Sequence, residues 1–364
     1  MKINRIFGTA VLAVVALASF NSCDTDPEAL TIQDLYKYDN QYFANLREWK
    51  KTPHAITYGY YASYSNAKNP TSFGERFLGL PDSIDIVNLW TEIPTPEDWP
   101  IAYQDMVYCQ KMKGTRFVMH ADAAHYNHTM WARNYNETTG EFEYIYDSIP
   151  DPNDATKKIP VYEKKLNEET GEMETVLDEK GNPKPQHTAV KTQSGNRETI
   201  IQYARWAVDT LVRCGLDGVD FDYEGWGGQD ITWLAEECDK YLGPNGKWSE
   251  KLFIIDWFNG APPADTEPYT DWYIRQAYTW QIGFQTGSGG RPKEKTVLCE
   301  STGAESANGG KDGARIKDYA VWVANNNGGG CGAYYMDYNY MSTSGIPYKE
   351  FRDAIQIMNP AVAK

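Results

Sequence analysis

Apolar residues and acids alternate along LDGVDFDYEG, residues 216–225: Val219, Phe221 and Tyr223 take every second position, and Asp220, Asp222 and Glu224 take the others. Successive strand side chains point to opposite faces, so this spacing predicts a strand with three carboxyls on one face and an apolar face behind them. Other apolar runs predict strands starting at Ile56 (ITYGYYASYS), Ser83 (SIDIVNLW), Thr115 (TRFVMHAD), Lys251 (KLFIIDWFN), Trp272 (WYIRQAYTW), Thr296 (TVLCES) and Cys331 (CGAYYMDYN). Helical spacing lies between them. Ile101, Met106, Val107 and Met112 suggest one helix. Ile200, Ile201, Ala204, Ala207, Val208, Leu211 and Val212 form a stripe that Gly215 is suited to cap. Further helices are expected around Thr232–Leu242, over Arg315–Asn325 and from Tyr348 onward. Eight strands alternating with helices predict an α/β fold, a (β/α)8 barrel of the TIM type, with its active site at the C-terminal ends of the strands.

One segment breaks the rhythm. Residues 134–196 are polar and charged, with Pro150, Pro152, Pro160, Pro183 and Pro185, and hold a near repeat, NETTGEFEY from Asn136 and NEETGEMET from Asn167. TG and KGNP are turn signals between alternating flanks, so one or two long hairpins are expected as an insertion after the third strand. Ahead of the barrel, Leu35, Tyr38, Tyr42, Leu46 and Trp49 predict an amphipathic helix over Asp34–Lys51.

Residues 1–22 have a basic start, an apolar run from Ile6 to Ala18 and a small, polar end, which reads as a secretory signal rather than a spanning helix. Cys23, directly after Ser22, resembles the acylated cysteine of a bacterial lipoprotein, and Asp24 and Asp26 resemble a surface-export signal of gut Gram-negative bacteria. The expected organisation is a signal over 1–22, a lipid-anchored tether with its helix over 23–52, and a catalytic barrel over 53–364. The expected location is the outer membrane, facing outward, as a monomer. Five cysteines remain (Cys109, Cys214, Cys238, Cys299 and Cys331); odd in number and widely spaced, they read as small core residues rather than a disulfide framework. The net charge of −15 over 364 residues argues against nucleic acid as a partner. Abundant aromatics, with 12 Trp and 26 Tyr, suit stacking on sugars as well as an ordinary large core.

The acids of residues 220–224 admit three readings. Asp220, Asp222, Glu224 and Gly225 imitate the first half of an EF-hand loop, but Ile231 stands where the bidentate Glu belongs. A structural role needs basic partners, and none is near in sequence. In the catalytic reading, Glu224 comes last, where barrel chemistry occurs, and Asp220 and Asp222 raise its pKa so that it holds a proton to donate. Two carboxyls on one strand do not straddle a sugar ring as the common glycosidase mechanisms require.

Asp217 to Glu224, DGVDFDYE, carries in full the DxxDxDxE pattern of glycoside hydrolase family 18, on the fourth predicted strand, and the chain resembles that family over roughly residues 55–358. The resemblance implies hydrolysis with retention, in which the substrate's own 2-acetamido oxygen attacks the anomeric carbon. Glu224 would be the general acid and then the base; Asp222 would orient the acetamido group and stabilise the oxazolinium; Asp220 would hold Asp222 and share its proton. Asp217 completes the pattern. Gln276-Ala277-Tyr278 looks like the Gln-x-Tyr of the family's endo-β-N-acetylglucosaminidases, which cut the core of N-glycans, with Tyr278 on the acetamido carbonyl. Chitinases of the family usually have Met-x-Tyr-Asp here and a Trp ending the last strand, which reads GAYYMDYN in this chain. An endoglycosidase acting on an N-glycan or glycoprotein is therefore expected, with the insertion overhanging the cleft; a chitinase and a catalytically silent glycan-binding protein are the alternatives. No cofactor is implied.

Trp257, Asn259 and Tyr338 are candidate sugar contacts, with Asp256 and Tyr60 of similar standing. His120, Asp122, His125 and His128 cluster after the third strand, but their spacing matches no common ligand motif, and no metal is expected.

Overall fold

A computed structural model of the protein describes residues 40–66, 68–121, 126–302, 314–340 and 345–361. The chain divides into a leading unit ending at Asn45 and a second unit, Leu46–Lys364. Helix α1 spans Asn40–Lys50; Cys23 and the helical turn expected from Asp34 lie outside the described residues.

All eight expected barrel strands form. In chain order they are β1 (Ile56–Tyr61), β2 (Ile86–Leu89), β3 (Arg116–Ala121) and, after eight short arm strands β4 to β11, β12 (Gly218–Asp222), β13 (Leu252–Trp257), β14 (Trp272–Gln276), β15 (Thr296–Ser301) and β16 (Gly330–Tyr334). Every barrel pairing is parallel, and β16 pairs back onto β1 to close the ring. The remaining helices are α2 (Pro100–Tyr108), α3 (Arg197–Arg213), α4 (Gly228–Cys238), the single turn α5 (Thr279–Ile282), α6 (Ala314–Asn326) and α7 (Lys349–Met358). The link from β13 to β14 is crowded with Pro262, Pro263 and Pro268 and makes only the 3-10 turn Ala264–Thr266.

Strand alternation produces two apolar layers. Tyr58, Ile86, Val118, Ile254, Ile274 and Val297 pack inside the barrel, while Phe117, Val219, Phe221, Phe253, Ile255 and Tyr273 pack outward in the cluster that includes the helices. Helix α3 buries Ile200, Ala204, Ala207, Val208 and Leu211 in that outer layer. Its chain reverses at Gly215 with φ +67, a conformation other residues rarely adopt, and enters β12. Asp217 fixes this entry: its Oδ2 accepts from the Phe117 N–H at 2.8 Å and from Gln110 Nε2 at 2.8 Å, locking β12 in register with β3. Cys109, Cys238, Cys299 and Cys331 are buried and Cys214 partly so, all as free thiols.

The insertion is a branched arm. Strands β4 (Thr129–Trp131) and β11 (Ala189–Lys191) form its stem, which the bridges Tyr146 to His187, Tyr162 to Pro185 and Leu177 to Pro183 extend. Three hairpins leave it: β5 (Arg133–Asn136) with β6 (Glu141–Tyr144), β7 (Ser148–Asp151) with β8 (Asp154–Pro160), and β9 (Lys164–Leu166) with β10 (Met173–Thr175). The near repeat builds the same turn twice. Asn136 Oδ1 accepts from the Thr138 N–H at 2.8 Å and Asn136 Nδ2 donates to Glu143 at 2.6 Å; Asn167 does the same with Glu169 at 2.9 Å and Glu174 at 2.6 Å.

The expectation that this insertion overhangs the cleft is corrected at its root. Arg133 is ion-paired with Asp209 of α3, and Tyr135 and Phe142 pack against Tyr241, with Trp248 beside Tyr135. The first hairpin thus runs along the outer helical wall, because that wall offers it an apolar seat and a buried carboxylate. The end of the insertion reaches the C-terminal rim, where Asp230 Oδ2 gathers Ser194 Oγ at 3.0 Å and the Gly195 N–H at 3.1 Å, together with Tyr126 OH, from ahead of the insertion, at 2.6 Å.

Candidate active site

The site follows from the parity of β12. Val219 and Phe221 face the outer core, so Asp220 and Asp222 face the barrel interior, and Glu224 stands two residues beyond the strand end at the rim. Gly225, at φ +83, turns the chain away immediately after Glu224.

Asp220 lies deepest, with none of its surface exposed. Its Oδ2 accepts from Tyr58 OH of β1 and from Asn88 Nδ2 of β2 at 2.9 Å. Burial, then the neighbouring Asp256 charge, pushes its pKa well up. Asp222 is half-buried above it, raised to about 11 by burial first and by Asp256 second. Gln276 Nε2 donates to its Oδ1 at a long 3.4 Å. Glu224 is exposed at the mouth, and its pKa too is raised, by partial desolvation and the charge of Asp256. A raised pKa keeps a carboxyl protonated nearer neutrality and able to donate.

Asp256 joins these groups. It lies directly beside Asp222 in the β12–β13 register and is fully buried. Tyr60 OH donates to its Oδ2 at 2.9 Å and Gln276 Nε2 to its Oδ1 at 2.8 Å; His120 Nδ1 is 4.0 Å from Oδ2. The ligand atoms of His120, Asp220 and Asp256 lie within 4.8 Å of one another. Both carboxylates are already engaged by Tyr58, Asn88, Tyr60 and Gln276, so the cluster reads as a hydrogen-bonded acid array. His128 packs at a tilt against Trp206 outside the barrel and does not join His120; Asp122 and His125 lie outside the described residues.

Gln276 ends β14, and Tyr278 follows, 9% exposed, between Phe258 and Tyr334 with ring centroids at 5.9 and 5.7 Å. Burial first, then the charge of Asp256, raises the Tyr278 phenol. From Tyr334 a row of rings continues along the rim: Tyr335 at 4.1 Å, and Tyr338 stacked on Tyr335 at 5.1 Å, with Trp90 against both Tyr334 and Tyr335. Tyr338 is 55% exposed, a platform open to a ligand. Around Glu224, a cavity of about 330 Å³ is lined by Tyr223, Gly225, Trp226, Asn259 and Gly260.

The structure thus brings together Asp220, Asp222, Glu224, Gln276 and Tyr278, with Asn259 beside Glu224 and Tyr338 on the rim. One expected contact falls elsewhere. Trp257 follows inward-facing Asp256 and therefore points outward, where Arg275 covers its ring at 5.1 Å. Asp217, the first acid of the pattern, sits at the opposite end of β12 from Glu224 and supports the strand as a clamp. Sequence reading also missed Tyr58, Asn88 and the position of Asp256 as a hub. The signal for Asp256 was present, since it shares inward parity with Leu252 and Ile254; that it meets Asp222 depends on register between strands, which no local pattern encodes.

Residues 22–148 match the family model described as glycoside hydrolase family 18, BT1044-like. No curated protein matches the sequence. A solved structure described as BT1044SeMet aligns with 90% of this chain and 95% of its own at 21% identity, with a TM-score of 0.55. The apo form of the endo-beta-N-acetylglucosaminidase from Cordyceps militaris aligns with 89% of this chain and 97% of its own at 16% identity, also with a TM-score of 0.55. A mutant of that enzyme in complex with fucosyl-N-acetylglucosamine-Asn aligns equally. The closed parallel barrel is the fold of these structures, and over residues 22–148 the chain is similar to the glycoside hydrolase family 18 model.

Proposed function

We propose that the protein is an endo-β-N-acetylglucosaminidase that cleaves the GlcNAc-β-1,4-GlcNAc core of N-glycans. One observation carries the reading: Asp220 and Asp222 lie on β12, Glu224 follows its end, and Asp256 stands beside Asp222 in the β12–β13 register, so the acids come from one side of the barrel. Carboxylates on one wall suit a reaction whose nucleophile is the substrate's own acetamido oxygen. Glu224, its pKa raised by partial burial and the charge of Asp256, gives its proton to the glycosidic oxygen as the acetamido oxygen closes on the anomeric carbon. Asp222 accepts the acetamido N–H and offsets the charge of the oxazolinium. Water then attacks the anomeric carbon and yields a proton to the Glu224 carboxylate, which restores the acid with configuration retained.

Gln276 and Tyr278, in place at the end of β14, support the endoglycosidase branch over a chitinase. The Cordyceps militaris relative in fold, solved with an Asn-linked fucosyl-GlcNAc, supports a glycan still attached to its asparagine. The exposed ring row ending at Tyr338 suits the sugars beyond the cleavage point. The test is Glu224→Gln on a high-mannose and a complex-type glycoprotein, with chitooligosaccharides alongside. Loss of released glycan with an unchanged melting temperature is expected; near-wild-type release would refute the role, and faster cleavage of chitooligosaccharides by the wild type would favour the chitinase. We also propose lipidation at Cys23 and outward display on the outer membrane, which labelling with a radioactive fatty acid and protease shaving of intact cells would test.

A further inference from the structure

The outer wall of the barrel carries a second cavity, of about 470 Å³, between the stem of the arm and helix α3. Small-molecule sites span roughly 300–1,000 Å³. Residues three and four apart share a helix face, so α3 presents Trp206, Asp209 and Arg213 together. Strand β4 supplies the other side. Its Met130 turns into the core, and Trp131, next along the strand, turns out and is 48% exposed. Tyr144 of β6 and His128 complete the lining. A buried carboxylate fixes the polar groups. Asp209 Oδ1 accepts from Arg213 Nε at 2.7 Å, and its Oδ2 is ion-paired with Arg133. Arg213 Nη1 donates to Tyr144 OH at 3.1 Å, and both guanidinium groups lie 5.2 Å from the Tyr144 ring centre. Donors remain to be used. Among the described residues, no hydrogen bond engages Arg213 Nη2, the indole N–H of Trp131 or Trp206, or either ring nitrogen of His128. Burial first, then the Arg133 charge, lowers the His128 pKa, so its neutral ring offers one donor and one acceptor.

We propose that this cavity is a second, non-catalytic site that seats a pyranose of a glycoprotein glycan. Indole faces beside a fixed guanidinium fork and a neutral imidazole match a sugar, whose C–H face stacks on the rings while its hydroxyls take the polar groups. A hydrocarbon or apolar peptide would bury those donors unpaired. A phosphate would meet the Asp209 carboxylate, which already balances one of the two guanidinium charges. The site stands away from the cleft. Helix α3 starts at Arg197 and runs down the wall to the Gly215 turn that leads into β12, whereas Glu224 follows the far end of that strand. At 1.5 Å per residue, the face from Trp206 to Arg213 lies roughly 14–24 Å along the helix from Arg197. A glycan held there is not the one being cut. On a protein with several glycans, holding one raises the local concentration of the others at the cleft. The source of the sugar rests on the hydrolytic reading above; the binding of a pyranose does not.

The test titrates nitrogen-15-labelled Glu224→Gln protein with a high-mannose and a complex-type asparagine-linked glycopeptide, and with the same peptide unglycosylated. The indole N–H resonances of Trp131 and Trp206 report on the cavity itself. Both should shift saturably with at least one glycopeptide and neither with the bare peptide. Adding Trp131→Ala, a change at an exposed strand position, should abolish the Trp206 shift, and adding Arg213→Gln should weaken binding by about threefold or more. In the protein with Glu224 intact, Trp131→Ala should raise KM roughly 3- to 10-fold on a protein with several glycans and less than about twofold on the single-glycan peptide, with kcat unchanged. Absence of indole shifts with either glycopeptide, equal shifts with the bare peptide, or a KM effect that is the same on both substrates would overturn the proposal. If the wild type releases no glycan, the hydrolytic reading fails, and the indole titration still decides whether the cavity binds a sugar.

Discussion

Replacing Gln276 with Leu isolates the donor that links the two acids. Leu keeps most of the side-chain volume and removes the amide, so packing changes little while Asp256 loses its 2.8 Å donor and keeps only Tyr60. The contact to Asp222, at 3.4 Å, is too long to add much. A hydrogen bond to a charged acceptor contributes about 1.5–3 kcal/mol. At about 1.36 kcal/mol per tenfold in rate, that predicts a fall in kcat of roughly 10- to 150-fold. KM should move by less than about threefold, because the lost interaction acts on the catalytic acids and not on the bound glycan. The assay is the initial rate of glycan release from a glycoprotein over a range of concentrations, with the melting temperature measured in parallel. A kcat within about twofold of wild type in a folded variant would refute the claim that Gln276 sets the charge state of the array.

Other outcomes follow from the same geometry. The folded-state pKa of Asp222, about 11, lies far above that of an unfolded aspartate, so the folded protein holds a proton that the unfolded chain has lost; stability should fall as pH rises from about 4 toward 11. Asp222→Asn should flatten that fall and raise the melting temperature at pH 8 by about 2–6 °C, as calorimetry across pH would show. Because the arm is rooted on the outer wall, replacing residues 148–184 by a short turn should leave kcat/KM on glycoproteins within about threefold, and a change of glycan preference would contradict that placement. Tyr338→Ala removes an exposed ring, for which stacking of about 0.5–1.5 kcal/mol predicts a KM increase of roughly 2- to 12-fold with kcat little changed.

Much of this site was legible in the sequence because strand parity is a local property. The alternation from Val219 to Glu224 placed Asp220 and Asp222 on one face, and the strand count put them at the working end of a barrel. The same parity, applied one strand later, would have turned Trp257 outward and Asp256 inward; reading the end of that strand only as a place for sugar contacts overlooked it. Tyr58 and Asn88 were invisible for another reason. They lie more than 130 residues from Asp220 and reach it only through closure of the barrel. The arm shows a third limit. Turn chemistry at Asn136 and Asn167 was readable, but its seat against Tyr241 and Trp248 belongs to the tertiary fold. Alternating polarity predicted hairpins without saying against which surface they would lie.

The measurement that bears most directly on the account is the anomeric configuration of the glycan at the moment of release. Proton NMR of a glycopeptide digest, recorded before mutarotation, distinguishes the two anomers of the new reducing-end GlcNAc. Attack by the substrate's own acetamido oxygen, with Glu224 serving first as acid and then as base on one wall of the barrel, predicts that the β-anomer appears first. Appearance of the α-anomer first would mean direct displacement by water from the opposite face, and would contradict the mechanism drawn from the acid array.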